Sequence, residues 1–134
     1  MSAHGWAAEV TAITLVVADL EVSKAFYAAA FGAPLIFEDS SSAVFGFGAT
    51  MVNLLHRSAA DELLSPAPVG SSGDPARIVL TVPVPDTDAA SATLTALGVT
   101  LINGPTTRPW GPRTASFADP DGHVWEIACT PAAG

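Results

Sequence analysis

The sequence predicts an α+β chain of two βαβββ modules, each a four-stranded sheet with one helix on a face. Three observations carry that expectation. An alternating, β-branched segment followed by an Ala-rich stretch occurs at residues 11–31 and again at 77–97. Each Ala-rich stretch opens at a capping side chain and closes at a glycine, Gly32 or Gly98. Short strings also recur in the same order. Ile13-Thr14-Leu15 answers Ile78-Val79-Leu80, Gly32-Ala33-Pro34-Leu35-Ile36 answers Gly98-Val99-Thr100-Leu101-Ile102, and Val52-Asn53-Leu54 answers Trp125-Glu126-Ile127. A sheet with a helix on one face leaves its other face open, so two such modules can close their sheets around a shared cup.

Taken in order, residues 11–17 alternate Ile13, Leu15 and Val17 against Ala12, Thr14 and Val16, which reads as a strand. Asp19 is a helix cap, and Leu20, Val22, Phe26, Ala30 and Phe31 are expected on the buried side of the helix that follows. Residues 33–37 form a short strand, 40–42 a turn, and 43–48 and 50–56 two further strands. Pro, Gly and Ser crowd the next stretch, so residues 1–57 are read as the first module, 58–75 as a flexible connector with a helical turn near 61–64, and 76–134 as the second module. There the order repeats: a strand at 77–82, a helix at 88–97 capped by Asp86 or Thr87, and strands at 99–103, 113–118 and 123–129. Asp119-Pro120-Asp121-Gly122 makes the last turn.

The chain is 49% hydrophobic and only 13% charged, yet Gly, Pro, Ser and Asp interrupt every apolar stretch short of the ~18 residues of a membrane span. The apolar excess is read as core plus a buried subunit contact, so a homodimer is expected and a membrane partner is not. Five basic against 13 acidic residues give a formal charge of −8, which repels nucleic acid and favours cationic small molecules. Cys129 is the single cysteine, excluding an internal disulfide and a cysteine zinc cluster. The start of the chain shows no basic run followed by an apolar one, so the expected compartment is the cytoplasm.

With these elements in place, the sequence resembles the vicinal oxygen chelate superfamily, which includes glyoxalase I, extradiol dioxygenases, fosfomycin-resistance enzymes and bleomycin-resistance proteins. The residues behind the resemblance are Val17-Ala18-Asp19-Leu20-Glu21-Val22-Ser23-Lys24-Ala25-Phe26-Tyr27 with Phe31-Gly32 in the first half. In the second half they are Gly104-Pro105, Pro109-Trp110-Gly111-Pro112-Arg113 and Phe117-Ala118-Asp119-Pro120-Asp121-Gly122-His123-Val124-Trp125-Glu126. The resemblance implies the glyoxalase/bleomycin-resistance-like fold. It also implies, for metal-dependent relatives, one ligand on the first and one on the last strand of each half, mostly His, Gln or Glu. Counted from Asp19, those positions fall on Ala12, Asn53, Arg77 and Glu126. Only Glu126 fits: Ala12 has no donor atom, Asn53 is a weak neutral ligand, and Arg77 carries a fixed charge and no lone pair. No metal and no other cofactor is therefore expected, and Arg77 is read as the cation that pairs with Glu126.

The candidate residues each carry two readings. Glu126 is a general acid or base, or one half of an ion pair with Arg77. Arg77 grips a ligand carboxylate or phosphate, or serves that pair. Asn53 bonds ligand, or is a satisfied core amide. Trp110 is a stacking wall, or packs on the connector or a second subunit. Phe45 and Phe47 line the cup, or pack on the helix. His56 and His123 face away from the cup and are structural, His4 lies in a terminal segment, and Cys129 is an inert core thiol. Arg113 braces its loop through Asp119 or Asp121, and Trp6 covers an edge. The expected function is metal-independent binding of a small organic molecule, in the manner of antibiotic sequestration by bleomycin-resistance proteins. The alternative is a glyoxalase- or dioxygenase-like enzyme (lyase, isomerase or dioxygenase) using a divalent metal or Glu126 as base. An accessory domain without a ligand is the third possibility.

Overall fold

Described for residues 5–130, the computed structural model has two units, Met1–Gly70 and Ser71–Gly134, each holding one four-stranded mixed sheet. In the first, β1 (Ala12–Val17) runs into α1 (Leu20–Phe31), and β2 (Leu35–Glu38), β3 (Ser42–Phe47) and β4 (Thr50–His56) follow in sheet order β1-β4-β3-β2. Asp19 starts the helix by accepting the Val22 N–H at 3.2 Å, and Gly32 ends it at φ 61°. The buried stripe is Leu20, Ser23 and Tyr27, rather than one containing Val22, which is exposed. Small Ser23 lets the helix approach the sheet, and Tyr27 then reaches Phe45 at 6.1 Å and stacks on Phe31 at 5.6 Å. Leu15, Val17, Val52 and Leu54 complete this core. Lys24 ties α1 to β2 by bonding Glu21 at 3.0 Å and Glu38 at 2.7 Å.

Beyond β4 the structure adds α2 (Arg57–Leu64), a longer helix than the turn expected within the connector. Its cap is His56, whose Nδ1 accepts the Ser58 N–H at 3.2 Å, so Nε2 carries the proton and donates to the Ala18 carbonyl at 3.0 Å. The boundary between the two units falls after α2, at Gly70.

In the second unit, β5 (Val79–Pro83), α3 (Thr87–Ala96), β6 (Leu101–Thr107), β7 (Arg113–Ala118) and β8 (Val124–Cys129) form a sheet of order β5-β8-β7-β6. Asp86 caps α3 through the Ala89 N–H at 3.1 Å, and Leu94 lies in a core with Ala115, Phe117, Trp125 and Ile127. Arg113 does not brace the Asp119–Gly122 turn. It forks onto Asp88 of α3, Nε to Oδ2 at 2.7 Å and Nη2 to Oδ1 at 2.9 Å, which holds the Asp88 carboxyl below its ordinary pKa. The turn locks itself. Asp119 Oδ1 accepts the N–H groups of Asp121 and His123, both at 2.9 Å, and its Oδ2 meets His123 Nδ1 at 2.8 Å. That bond raises the His123 pKa. Cys129 donates to the Pro85 carbonyl, Trp6 is exposed rather than covering an edge, and His4 lies outside the described residues. Among the described residues no helix is long and apolar enough to cross a membrane.

The duplication holds in strand order and in register, but one expected correspondence shifts by two residues. Parallel pairing sets Thr14 opposite Asn53 and Thr81 opposite Glu126. Thr14 precedes the capping Asp19 by five residues, and Thr81 precedes Asp86 by the same five. Ile13-Thr14-Leu15 therefore answers Leu80-Thr81-Val82. Ladder pairing begins at Val79, which makes Val79 the counterpart of Ala12 and leaves Arg77 outside the strand.

Gly104 has φ +90°, and a Cβ there would meet the Thr114 carbonyl at 2.5 Å and the Ala115 Cα at 2.7 Å, both backbone atoms that cannot rotate away. At Gly32, φ +61°, a Cβ meets nothing within 4 Å. Gly104→Ala is expected to lose about 2 kcal/mol or more in urea unfolding, and Gly32→Ala about 1 kcal/mol; equal losses would contradict the close approach. The raised His123 pKa stabilises the fold fully below the unfolded value of about 6.5, and that contribution disappears as pH rises through the folded value. The melting temperature is thus expected to fall more between about pH 6 and pH 9 in the native chain than in His123→Asn.

Candidate functional site

Each sheet buries one face under its helix and leaves the other open. Alternation along β4 sends Val52 and Leu54 to α1, and Met51, Asn53 and Leu55 to the open side. Asn53 Nδ2 donates to Thr14 Oγ1 at 3.4 Å, while Asn53 Oδ1 is buried with no hydrogen-bond partner. Rotating the amide would pass the orphan role to Nδ2, so one polar end of Asn53 lacks a partner either way. A buried amide group left so costs about 1–3 kcal/mol. Beside it, Leu55 and the α2 residues Ala59, Glu62 and Leu63 line a groove of about 510 Å³. The arrangement presents an apolar wall, one carboxylate and one amide that favours a hydrogen-bonding guest.

The open face of the second sheet is polar. Thr81, Glu126, Ser116 and Asn103 lie in one cross-strand row, since Thr81 pairs with Glu126, Glu126 with Ser116 and Ser116 with Asn103. Thr81 Oγ1 donates to Glu126 Oε1 at 2.9 Å. Arg108, in the β6–β7 connection, lies along the same face: its Nε donates to Thr114 Oγ1 at 2.8 Å and its Nη2 to Asn103 Oδ1 at 2.6 Å.

Set against the expected residues, Asn53 and Glu126 stand at equivalent points on the two open faces. Arg77 does not pair with Glu126. It is exposed ahead of β5, and the Thr81 hydroxyl holds the place assigned to it. Phe45 is not a ligand-lining residue: it is 1% exposed and sits on the helix face against Tyr27, because it pairs with Val52 rather than with Asn53. Phe47 shares that face, 5.2 Å from Phe31, and is likewise removed from the lining. Trp110 is 74% exposed at the tip of the β6–β7 connection. His56 and His123 have the structural roles expected of them. Thr81, Asn103, Arg108 and Ser116 were missed. The threonine had a signal in its spacing to the cap, whereas Arg108 had none, because the bulges in β6 hide which face it serves.

A divalent metal does not fit these residues. The strand positions that would supply one ligand per sheet are Ala12 and Val79, neither with a lone pair, and among the described residues no group of three or more His, Cys, Asp or Glu could hold an ion.

Two units that share a β-α-β-β-β order, one with an open sheet face centred on Asn53 and the other with one centred on Glu126, define a duplicated βαβββ protein. A family model of the Glyoxalase/Bleomycin resistance protein/Dioxygenase superfamily matches residues 9–127, and the chain belongs to that superfamily. Among solved structures, a glyoxalase-related enzyme from Fulvimarina pelagi is 28% identical with TM-score 0.80, over 92% of this chain and 89% of that one. A glyoxalase/bleomycin resistance protein/dioxygenase from Nocardioides is 25% identical with TM-score 0.75, over 94% and 85%. A lactoylglutathione lyase from Agrobacterium tumefaciens, 19% identical with TM-score 0.73 over 91% and 93%, shares the fold. Comparison with curated proteins gives no match.

If the amide of Asn53 serves a guest rather than the fold, Asn53→Leu should raise unfolding free energy in urea by about 1 kcal/mol, by removing an unmet polar group. A loss of that size would mark it as structural.

Proposed function

We propose that the chain binds a small organic molecule without a resident divalent metal, in the groove beside α2. The observation that carries this reading is the residue type at Ala12 and Val79, which supplies no donor where metal-dependent relatives need one. The groove supports the kind of guest. Leu55, Ala59 and Leu63 suit an apolar body, Glu62 suits an amine, and Asn53 offers a hydrogen bond. A net charge of −8 draws cations toward it. Sequestration of a cationic antibiotic, as in bleomycin-resistance proteins, is the form of binding this chemistry favours, since capture needs burial and charge rather than bond chemistry.

A metal-free enzyme with Glu126 as base is the second reading. It is favoured by Glu126 Oε2, which has no partner among the described residues while Oε1 is held by Thr81. Loss of turnover in Glu126→Gln would select it.

Calorimetry of chelator-treated protein against basic glycopeptide and planar cationic antibiotics tests the first reading. Saturable binding is expected, weakened about tenfold in Glu62→Gln and unchanged by added divalent ions. Silence across both sets, or binding that needs a metal, would overturn it.

A further inference from the structure

We propose that the open face of the second sheet is a separate binding site for a small organic carboxylate that carries an amine or hydroxyl at its far end, with Arg108 as the anion anchor and Glu126 as the acceptor opposite. The inference is independent of the α2 groove, which belongs to the other unit.

It starts from how the chain uses its few cations. Lys24 is bound to two carboxylates and Arg113 to one. Arg57 and Arg77 are exposed and have no side-chain bond among the described residues, whereas Arg108 is held without being neutralised: both of its side-chain bonds go to neutral oxygens, Thr114 Oγ1 and Asn103 Oδ1, and it forms no ion pair among the described residues. In a chain with 13 acidic and five basic residues, that is an uncompensated charge held in a fixed orientation. Two side-chain bonds fix the guanidinium along its Nε and Nη2 edge and leave Nη1 with no partner among the described residues, so its Nη1–Nη2 end remains open. A fork so oriented is prepared for a planar oxyanion, because the entropy of fixing the side chain is spent before the guest arrives.

The neighbours extend the site. Ser116 pairs with Asn103 on one side and Glu126 on the other, so its hydroxyl lies between the anchor and the acid on the same face. The Asn103 amide nitrogen adds a further donor beside the fork. Glu126 uses one oxygen for Thr81 and has Oε2 left as an acceptor. Donors at one end and a carboxylate at the other select a guest of opposite pattern. Adjacent strands are about 4.8 Å apart, so the guest's two polar ends lie roughly 5–10 Å from each other. One guanidinium balances one negative charge. A dianion such as a phosphate monoester would meet Glu126 and a net charge of −8 with nothing further to offset it, so a monocarboxylate is the class that fits.

The test uses the whole chain and three probes by calorimetry: 4-aminobenzoate, benzoate and aniline. The first is expected to bind with a dissociation constant of about 1 mM or tighter, benzoate a few-fold more weakly, and aniline at least about tenfold more weakly. Arg108→Gln should weaken 4-aminobenzoate about tenfold and leave aniline unchanged, while Glu126→Leu should abolish the advantage over benzoate. Arg108→Lys, which keeps the charge but loses the fork, should weaken it at least about threefold and serves if the Gln variant fails to fold. Equal binding of 4-aminobenzoate and aniline, indifference to both Arg108 variants, or no binding of 4-aminobenzoate would overturn the proposal. Asn53→Leu, in the other unit, should leave these constants unchanged; a loss there would place the carboxylate in the α2 groove and refute a separate site.

Discussion

Parallel hydrogen bonding between the first and last strands of each unit places Thr14 beside Asn53 and Thr81 beside Glu126. Because side chains alternate along a strand, this one register decides which residues face the helix and which face outward. It sends Val52, Leu54, Trp125 and Ile127 into the two cores and sets one polar side chain at the centre of each open face. It also fixes what stands two residues upstream of each threonine, namely Ala12 and Val79. The absence of donor atoms at those two places is thus a property of the ladder, not of a mobile loop.

From this common frame the units diverge. The first keeps an apolar open side, adds α2 beside it and leaves the Asn53 amide half satisfied. The second lays a row of hydroxyl, amide, carboxylate and guanidinium groups across its sheet. The flanking structure shows the same division of labour. Arg113 and Arg108 lie at the two ends of one connection and serve opposite faces, Arg113 fastening α3 through Asp88 and Arg108 lying along the open side. The rigidity this needs comes from short-range devices, such as the Asp119 carboxylate that closes the β7–β8 turn.

Much of the fold was legible because its signals are local. Asp19, Asp86, Gly32 and the Asp119–Gly122 turn act within a few residues, and the alternating strands announce their own faces. Asn53 and Glu126 were reached through the family resemblance, which implies a ligand position on the last strand of each half. What the sequence concealed was register between distant segments. Arg77 has the parity of Val79 and Thr81, opposite to Ile78, Leu80 and Val82, so nothing local says that pairing starts only at Val79. The placing of Phe45 and Phe47 depended on which side of β3 faces α1, and α1 itself was turned by one position, burying Ser23 rather than Val22. Arg108 was hidden by the register shifts of β6, which break the count by which a face is inferred. The charge argument survives these changes in altered form: a cation does not replace the metal near Glu126, and the loss of donors rests on Val79 instead.

Titration of the chelator-treated chain with zinc, nickel and manganese, followed by calorimetry with elemental analysis of the dialysed product, addresses the central claim most directly. Two strand positions without lone pairs predict no saturable heat and no ion retained in proportion to protein. One ion per chain held through dialysis would contradict the account, since it would require ligands to take the place of Ala12 and Val79.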